Sequence, residues 1–245
     1  MLGIIGAMDS EMNALFEKME NRREETVGFS RYIQGTLLGV PCVLGRCGIG
    51  KVHAALCAQA MILHYHPDAI LNIGVAGALQ DELRIGDAVV ASSAVQHDMD
   101  TTPVGDPLGL ISGINLVHLP CDGALQRLLE EAAREADIRS ITAAIATGDQ
   151  FVVGPERKRG LSLLFGAGAC DMEGGAIAQT CYEMATPYAA YRAISDTVED
   201  SGREYYLNLQ DACAGSWALP AAPGPRSAMP PMPSKTPFFR RPSWA

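Results

Sequence analysis

The 245-residue chain has no run of apolar residues that approaches the length of about 18 needed to cross a membrane. No lysine or arginine precedes the apolar residues at its start, as a secretory signal would require. We therefore expect no membrane association and a cytoplasmic location. Positive charge is also scarce, because 19 Lys and Arg stand against 28 Asp and Glu, a net charge of −9. This balance argues against general binding to nucleic acid or to anionic membranes.

Sequence motifs for metals and for the common nucleotide cofactors are absent. The seven cysteines form no C-x-x-C pair and have no histidine at ligand spacing, so we expect buried, reduced thiols and no metal site. Neither G-x-G-x-x-G nor G-x-x-x-x-G-K-[ST] occurs. Nicotinamide cofactors and P-loop nucleotides therefore have no support from the sequence.

Short β-like runs alternate with helix-like windows over about the first 200 residues, which is typical of a sheet covered by helices. The predicted strands are Leu2–Gly6, Ser30–Gly35, Cys42–Cys47, Ala69–Gly74, Ala88–Ser92, Ile141–Thr147 and Tyr188–Ser195. The predicted helices are Ser10–Met19, Lys51–Tyr65, Gly123–Ala136, Pro155–Phe165 and Glu173–Met184. Most of these strands are apolar throughout, which suits burial on both faces. We predict an α/β fold, a single domain over residues 1–211 with three α/β/α layers around a twisted, mixed central sheet.

The composition changes abruptly at about Ala212. Eight of the 15 prolines lie between Pro220 and Pro242, and such a density of proline is incompatible with a regular helix. Residues 212–245 are therefore predicted to form an atypical Pro-rich tail, disordered or irregular. It is either a docking ligand or a segment without a selected function, such as an altered reading frame.

Three carboxylates follow the ends of predicted strands or begin the helices after them. Glu11 lies in the first turn of a helix, where the helix dipole favours the ionised form that a base needs. Glu173 begins another helix, and Asp196 follows the last strand. Because ligands bind at the carboxyl ends of strands in open α/β sheets, these acids predict acid/base chemistry at one site. The alternatives are ordinary helix capping and, for Asp196, an ion pair with Arg192.

Eight motifs occur between Gly3 and Asp196, over about four-fifths of the chain: GIIGAMDSEM, CGIGKVHAA, NIGVAGAL, RIGDAVVAS, HDMD, TGDQFV, DMEGGAIAQ and RAISD. In this order they resemble the 5′-methylthioadenosine/S-adenosylhomocysteine nucleosidases of the purine nucleoside phosphorylase-like superfamily. The resemblance implies a nucleoside phosphorylase-like fold and hydrolysis of an N-glycosidic bond with release of adenine. It implies no cofactor and a place in methionine salvage.

The resemblance also implies roles for single residues. Glu11 would activate the attacking water, and Asp196 would protonate N7 of the leaving adenine. Glu173 would bind the ribose hydroxyls. The other implied contacts are Met8 and Val75 along the ribose, Met172 against the sugar, Phe151 on the purine ring, the backbone of Val152 at the purine edge and Ser195 beside Asp196, with Tyr205 or Tyr206 as an aromatic lid.

The implied partners are a small thio-nucleoside, water and a second copy of the chain, whose loop 104–111 would complete the site. The family continues into a long C-terminal helix, which the segment after Ala212 is not expected to form. Another purine nucleoside hydrolase or phosphorylase, with a futalosine- or inosine-like substrate, is the alternative within the fold. A phosphorylase needs a cationic pocket, and the stretch from Gly6 to Glu20 contains acids and no arginine. From another class, a non-catalytic nucleoside-binding module also fits.

Overall fold

Ten strands and six helices follow one another within residues 1–200 and 202–216, which are the residues that the computed structural model describes. The strands are β1 (Leu2–Gly6), β2 (Met19–Val27), β3 (Ser30–Leu37), β4 (Val40–Arg46), β5 (Ala69–Ala78), β6 (Ala88–Gln96), β7 (Leu119–Pro120), β8 (Ser140–Thr147), β9 (Ala167–Asp171) and β10 (Tyr188–Asp196). The helices are α1 (Asp9–Lys18), α2 (Lys51–Tyr65), α3 (Gly123–Glu135), α4 (Pro155–Phe165), α5 (Gly174–Glu183) and α6 (Glu204–Ser216). All seven predicted strands and all five predicted helices are present, so the α/β prediction is confirmed.

The sheet is mixed, as predicted, and its centre is β5. This strand pairs in parallel with β1 on one side and with β10 on the other, and its end pairs antiparallel with β9. Strand β10 continues to β6, then β8 and β9, so that these four strands return to β5 and close a ring of five. Strand β7 pairs with β6, and a second arm of the sheet extends from β1 through β4 and β3 to β2.

The parallel strands bring three chain positions to one edge of the sheet. Strands β1, β5 and β10 run in the same direction, so their carboxyl ends lie together. Every residue of β10 is buried, and most residues of β5 are buried as well. Such strands are covered on both faces and hold their ends rigidly, which suits them to position functional side chains.

Besides the two-residue strand β7, the sequence patterns missed three elements. Strand β2 is highly charged and mostly exposed, because it is an edge strand that pairs only with β3 among the described strands. Strand β9 is a five-residue run of small residues buried between β8 and β5. Both owe their conformation to their neighbours in the sheet rather than to a periodic apolar pattern.

The third missed element, α6, corrects the prediction for the C-terminal segment. The helix continues to Ser216, so residues 212–216 are helical where no regular helix was expected. Asp200 starts it by accepting hydrogen bonds from the backbone N–H groups of Arg203 and Glu204. The helix packs on β10, β5 and α1 and buries Ala212 and Cys213. The prolines that motivated the prediction lie in residues 217–245, outside the described part of the chain, where the Pro-rich tail stays a prediction.

No helix of the described residues is long and apolar enough to cross a membrane. Six of the seven cysteines are buried, as expected, and Cys121 is half-buried.

Candidate active site

Glu11 is buried beneath the turn between β1 and α1. The backbone N–H groups of Ala7 and Met8 donate to its Oε2 atom at 2.8 and 2.9 Å, and the N–H of Val75 on β5 donates to Oε1 at 3.0 Å. The carboxylate of Glu11 is thus held by neutral donors from two strand ends. These contacts bring three of the predicted site residues, Met8, Glu11 and Val75, into one cluster.

The pKa of Glu11 is shifted in the direction opposite to that expected for an acid in the first turn of a helix. Burial raises the pKa of Glu11 above its usual value, and this effect outweighs the three backbone donors and the nearby Arg192 guanidinium, which lower it. Burial therefore opposes the effect of the helix dipole, on which the expectation of an ionised carboxylate rested. A raised pKa makes the Glu11 carboxylate a stronger base once it has lost its proton.

Asp196 is held differently. Its Oδ2 atom accepts a hydrogen bond from the Lys158 ammonium at 2.6 Å, and its Oδ1 atom lies 2.8 Å from the Ser195 hydroxyl. Both side chains of the ion pair are almost fully buried. Lys158 lies on α4 and was not among the predicted site residues. Ser195 does hold the carboxylate, as the resemblance implied.

The alternative prediction, an ion pair between Asp196 and Arg192, was wrong. Four residues along a strand span about 13 Å, so these two side chains do not meet on β10. Arg192 instead donates to Asp171 through Nε at 3.0 Å and through Nη2 at 2.6 Å, and also to Asn72. This buried network lies under the site and supplies positive charge to both Glu11 and Glu173.

Two glycines of β5 give the carboxylates room. A Cβ atom on Gly74 would lie 2.5 Å from Glu11 Oε1, and one on Gly77 would lie 2.7 Å from Asp196 Oδ2. No real Cβ tolerates such distances. These glycines lie three residues, about 10 Å, apart on one strand, so both acids contact the same stretch of β5. The glycines of the motif Asn72–Gly77 therefore make room for the two acids.

Glu173 is the third predicted acid of the cluster. It caps α5, is buried, and accepts a hydrogen bond at 2.8 Å from the backbone N–H of Gly50, which precedes α2. Burial is the first cause that raises its pKa, and the negative charges of Asp171 and Glu11 add to it. The influence of Glu11 shows that the two carboxyls are close enough to interact.

A less buried rim surrounds the acids. Met8, Val75 and Met172 are half-buried, whereas Phe151 is 46% exposed. The Tyr205 ring from α6 lies edge-on to the Phe151 ring with centroids 5.1 Å apart, and its hydroxyl lies 3.5 Å from the Met8 sulfur. Of the two tyrosines considered for a lid, Tyr205 reaches the cluster. The side chain of Val152 is buried in a separate apolar cluster with Cys170 and Phe165.

Two further features bear on ligands. A cavity of about 410 Å³ lies between α2 and α5 and includes Lys51, Leu56 and Glu183 in its lining, but none of the predicted site residues. Within the described residues, no group of three or more His, Cys, Asp or Glu side chains is arranged to hold a metal ion. The three acids are not in the lining of the cavity and lie instead at the edge formed by β1, β5 and β10.

Known proteins match this chain in sequence and in fold. The family model of the phosphorylase superfamily matches residues 1–217. A 5′-methylthioadenosine/S-adenosylhomocysteine nucleosidase from Shewanella piezotolerans is 36% identical over 200 residues, which cover 81% of this chain and 87% of that protein. The chain belongs to this nucleosidase family of the phosphorylase superfamily. The resemblance seen in the motifs is thereby confirmed.

Solved structures agree with this membership in the nucleosidase family. The nucleosidase from Neisseria meningitidis, in complex with methylthio-immucillin-A, is similar with a TM-score of 0.85 and 33% identity, over 90% of this chain and 96% of that one. Futalosine hydrolase of Helicobacter pylori is also similar, with a TM-score of 0.83 and 33% identity, over 88% and 93% of the two chains. The nucleoside phosphorylase-like fold is therefore shown, and two substrate classes occur among the neighbours.

Lys158 is the site residue that sequence reasoning missed. In the sequence it stands in the basic run Arg157–Arg159, which is typical of a solvated helix surface. One signal was available, because Lys158 precedes Leu161 by three residues and Phe165 by seven, and so shares the inward face of α4 with them. The side chains of Leu161 and Phe165 pack in the core.

Proposed function

We propose that this nucleosidase hydrolyses the N-glycosidic bond of 5′-methylthioadenosine and S-adenosylhomocysteine and releases adenine. The observation that carries the proposal is the pair of buried acids, Glu11 and Asp196, which meet the same strand at Gly74 and Gly77. Cleavage of such a bond passes through an oxocarbenium-like state, which needs a proton for the departing base and a nucleophile at the opposite face of the sugar.

In the proposed reaction the C1′–N9 bond breaks and its electron pair leaves with the purine. Asp196 delivers a proton to N7, so that adenine departs neutral. A water molecule forms the new bond to C1′ and gives its proton to Glu11. Glu173 accepts hydrogen bonds from the 2′ and 3′ hydroxyls and, when ionised, places negative charge near the cationic sugar, which favours the transition state.

The rim residues would bind the rest of the substrate. Phe151 would stack on the purine, and its exposed face beside Tyr205 supports this role. The backbone of Val152 would read the purine edge. The half-buried Met8, Val75 and Met172 would line the sugar and its thioether.

Water is favoured over phosphate as the nucleophile. The backbone N–H groups of Ala7, Met8 and Val75 would suit an anion, but the Glu11 carboxylate occupies all three. Arg46 does approach the first turn of α1, where its guanidinium pairs with Asp9 at 2.6 Å. A second anion at the Glu11 position would meet a like charge in a poorly solvated site, which is costly.

Adenine release from methylthioadenosine, with and without phosphate, tests the proposal. We expect phosphate-independent release by the wild-type protein and a loss of about 100-fold or more in Asp196→Asn, the range for removal of a general acid. Asp211→Asn, an exposed carboxyl on α6, is the matched control. Binding of methylthioadenosine without turnover would favour the nucleoside-binding module instead, and dependence on phosphate would favour a phosphorylase.

Futalosine is a second candidate substrate, because a futalosine hydrolase is among the similar structures. A panel of methylthioadenosine, S-adenosylhomocysteine, futalosine and inosine separates these candidates by kcat/KM. We expect the two adenosine thioethers to be the best substrates. Preferential cleavage of futalosine or inosine would reassign the specificity and leave the chemistry unchanged.

We also propose a homodimer in which loop 104–111 approaches the neighbouring site. Val104 is 80% exposed on this loop, and Pro107 is exposed as well. Val52, Leu56 and Leu63 expose further apolar surface on α2. Light scattering tests the assembly, since an active monomer would contradict it. A cytoplasmic location and a role in methionine salvage stay predictions, which cell fractionation and growth on methylthioadenosine as the sulfur source would check.

A further inference from the structure

The Lys158–Asp196 ion pair presents a chemical problem for the proposed reaction. Asp196 must deliver a proton, yet in the structure its Oδ2 atom faces an ammonium at 2.6 Å, the arrangement of a carboxylate that has lost its proton. The Lys158 ammonium, as the donor of this hydrogen bond, places a proton between its Nζ atom and Asp196 Oδ2. Either Asp196 takes up a second proton from solution before each turnover, or Lys158 supplies the proton.

We propose that Lys158 stores the proton that Asp196 delivers to the purine. This inference rests on the proposed hydrolysis and extends it to a residue that acts through Asp196 without touching the substrate. The proton moves from Lys158 Nζ to Asp196 Oδ2 and from there to N7, while the C1′–N9 electron pair leaves with the purine. Lys158 ends as a neutral amine and Asp196 again as a carboxylate. The proton that Glu11 takes from the attacking water returns to Lys158 through solvent after the products leave.

Burial supports a chemical role for Lys158. Its side chain is fully buried on α4, and its other acceptor is the carbonyl oxygen of Thr197 at 2.6 Å. A buried ion pair contributes little net stability compared with apolar side chains of similar size, because both charges lose their hydration. Stability alone therefore does not explain an ammonium at this position.

The identity of the cation supports the same role. Arg192 is the other buried cation beneath the site, and it pairs with Asp171. A guanidinium does not release its proton in proteins, whereas a lysine ammonium does so when its surroundings favour the amine. The purine-side acid Asp196 is thus paired with the cation that can give up a proton.

Other groups surround the ion pair. Ser195 on β10 is at Oδ1, and the Cys170 thiol on β9 is close enough for the Asp196 charge to raise its pKa. Asp200, before α6, is near enough to feel the Lys158 charge. Burial raises the pKa of Asp200, but the backbone donors of α6 and, to a smaller extent, Lys158 lower it below its usual value. Only Asp196 accepts a hydrogen bond from Lys158 through a side chain among the residues that the structure describes.

The test compares two substrates that differ in their leaving group. Methylthioadenosine needs a proton on its purine, whereas 4-nitrophenyl 5-methylthio-β-D-ribofuranoside releases an anion that departs without one. We expect Lys158→Met and Lys158→Arg each to lose about 100-fold in kcat on methylthioadenosine, as Asp196→Asn does, and to keep cleavage of the nitrophenyl riboside. Lys18→Met, an exposed lysine at the end of α1, is the matched control and should behave as wild type.

Lys158→Arg separates proton storage from charge. Arginine keeps the positive charge and cannot release its proton, so a variant that cleaves both substrates at wild-type rates would overturn the proposal. Full activity of Lys158→Met on methylthioadenosine would overturn it equally. If the wild-type protein releases no adenine, the proposed function fails instead, which is a different result.

Discussion

The two acids of the site reach the same strand, β5, but are held in opposite ways. Glu11 is surrounded by neutral backbone donors, and no cationic group bonds to it directly among the described residues. Asp196 is bonded to an ammonium and lies beside a hydroxyl. Glu11 has no cation bonded to its carboxylate, and burial raises its pKa, which favours a base. Asp196 is instead hydrogen-bonded to the ammonium of Lys158, a group that carries protons. The difference between the two surroundings therefore supports the opposite roles proposed for these two similar side chains.

The largest expected effect comes from removing the base. Glu11→Gln should lower kcat by about 1,000-fold on both methylthioadenosine and its nitrophenyl analogue, because both need activated water. Steady-state rates on the two substrates check this, with Glu17→Gln, an exposed acid on the same helix, as control. A loss confined to the purine substrate would move Glu11 to the leaving-group side and break the comparison.

A smaller effect is expected from crowding Asp196. Gly77→Ala would place a Cβ 2.7 Å from Asp196 Oδ2, which the ion pair and Ser195 prevent from moving away. We expect a loss of about 100-fold in kcat on methylthioadenosine from this displacement. Gly160→Ala, which has open space on α4, is the control. An unchanged rate in Gly77→Ala would show that the position of Asp196 is not critical.

The stability of the protein should also report the surroundings of Glu11. Because the folded state raises the pKa of Glu11, the folded state binds its proton more tightly, and this contribution is lost as the pH rises through the raised value. Glutamine does not titrate. The free energy of unfolding of Glu11→Gln relative to wild type should therefore increase from pH 5 to pH 8. Urea unfolding at the two pH values measures it, and a decrease would mean that Glu11 is stabilised as an anion.

The smallest effect is expected at the rim. Tyr205→Phe removes a hydroxyl whose contact, the Met8 sulfur at 3.5 Å, is weak. The ring against Phe151 remains, so KM should change by about twofold to threefold and kcat should not change. Kinetics on methylthioadenosine check this. A large fall in kcat would place the Tyr205 hydroxyl among the reacting groups.

The periodic elements and the three acids could be predicted from the sequence. Helices α2 and α4 and strand β1 begin and end where the patterns placed them, because their apolar spacing and turn residues are local. The charged edge strand β2, the short β9 and the helix α6 were missed, since contacts with neighbouring elements decide their structure. Around the acids, the predicted partner of Asp196 was wrong. Arg192 and Lys158 are both basic, and only their positions in the folded structure show which of them meets Asp196.

By itself the sequence determined the alternation of buried strands with helices, the placement of Glu11, Glu173 and Asp196 at or just beyond strand ends, and membership in a family through its motifs. These follow from local periodicity and from the residues themselves. The tertiary structure alone decided which cation meets which acid and which glycine makes room for each. Such pairings join residues far apart in the chain, from Glu11 with Gly74 to Lys158 with Asp196. Their strength depends on burial, which no local pattern measures.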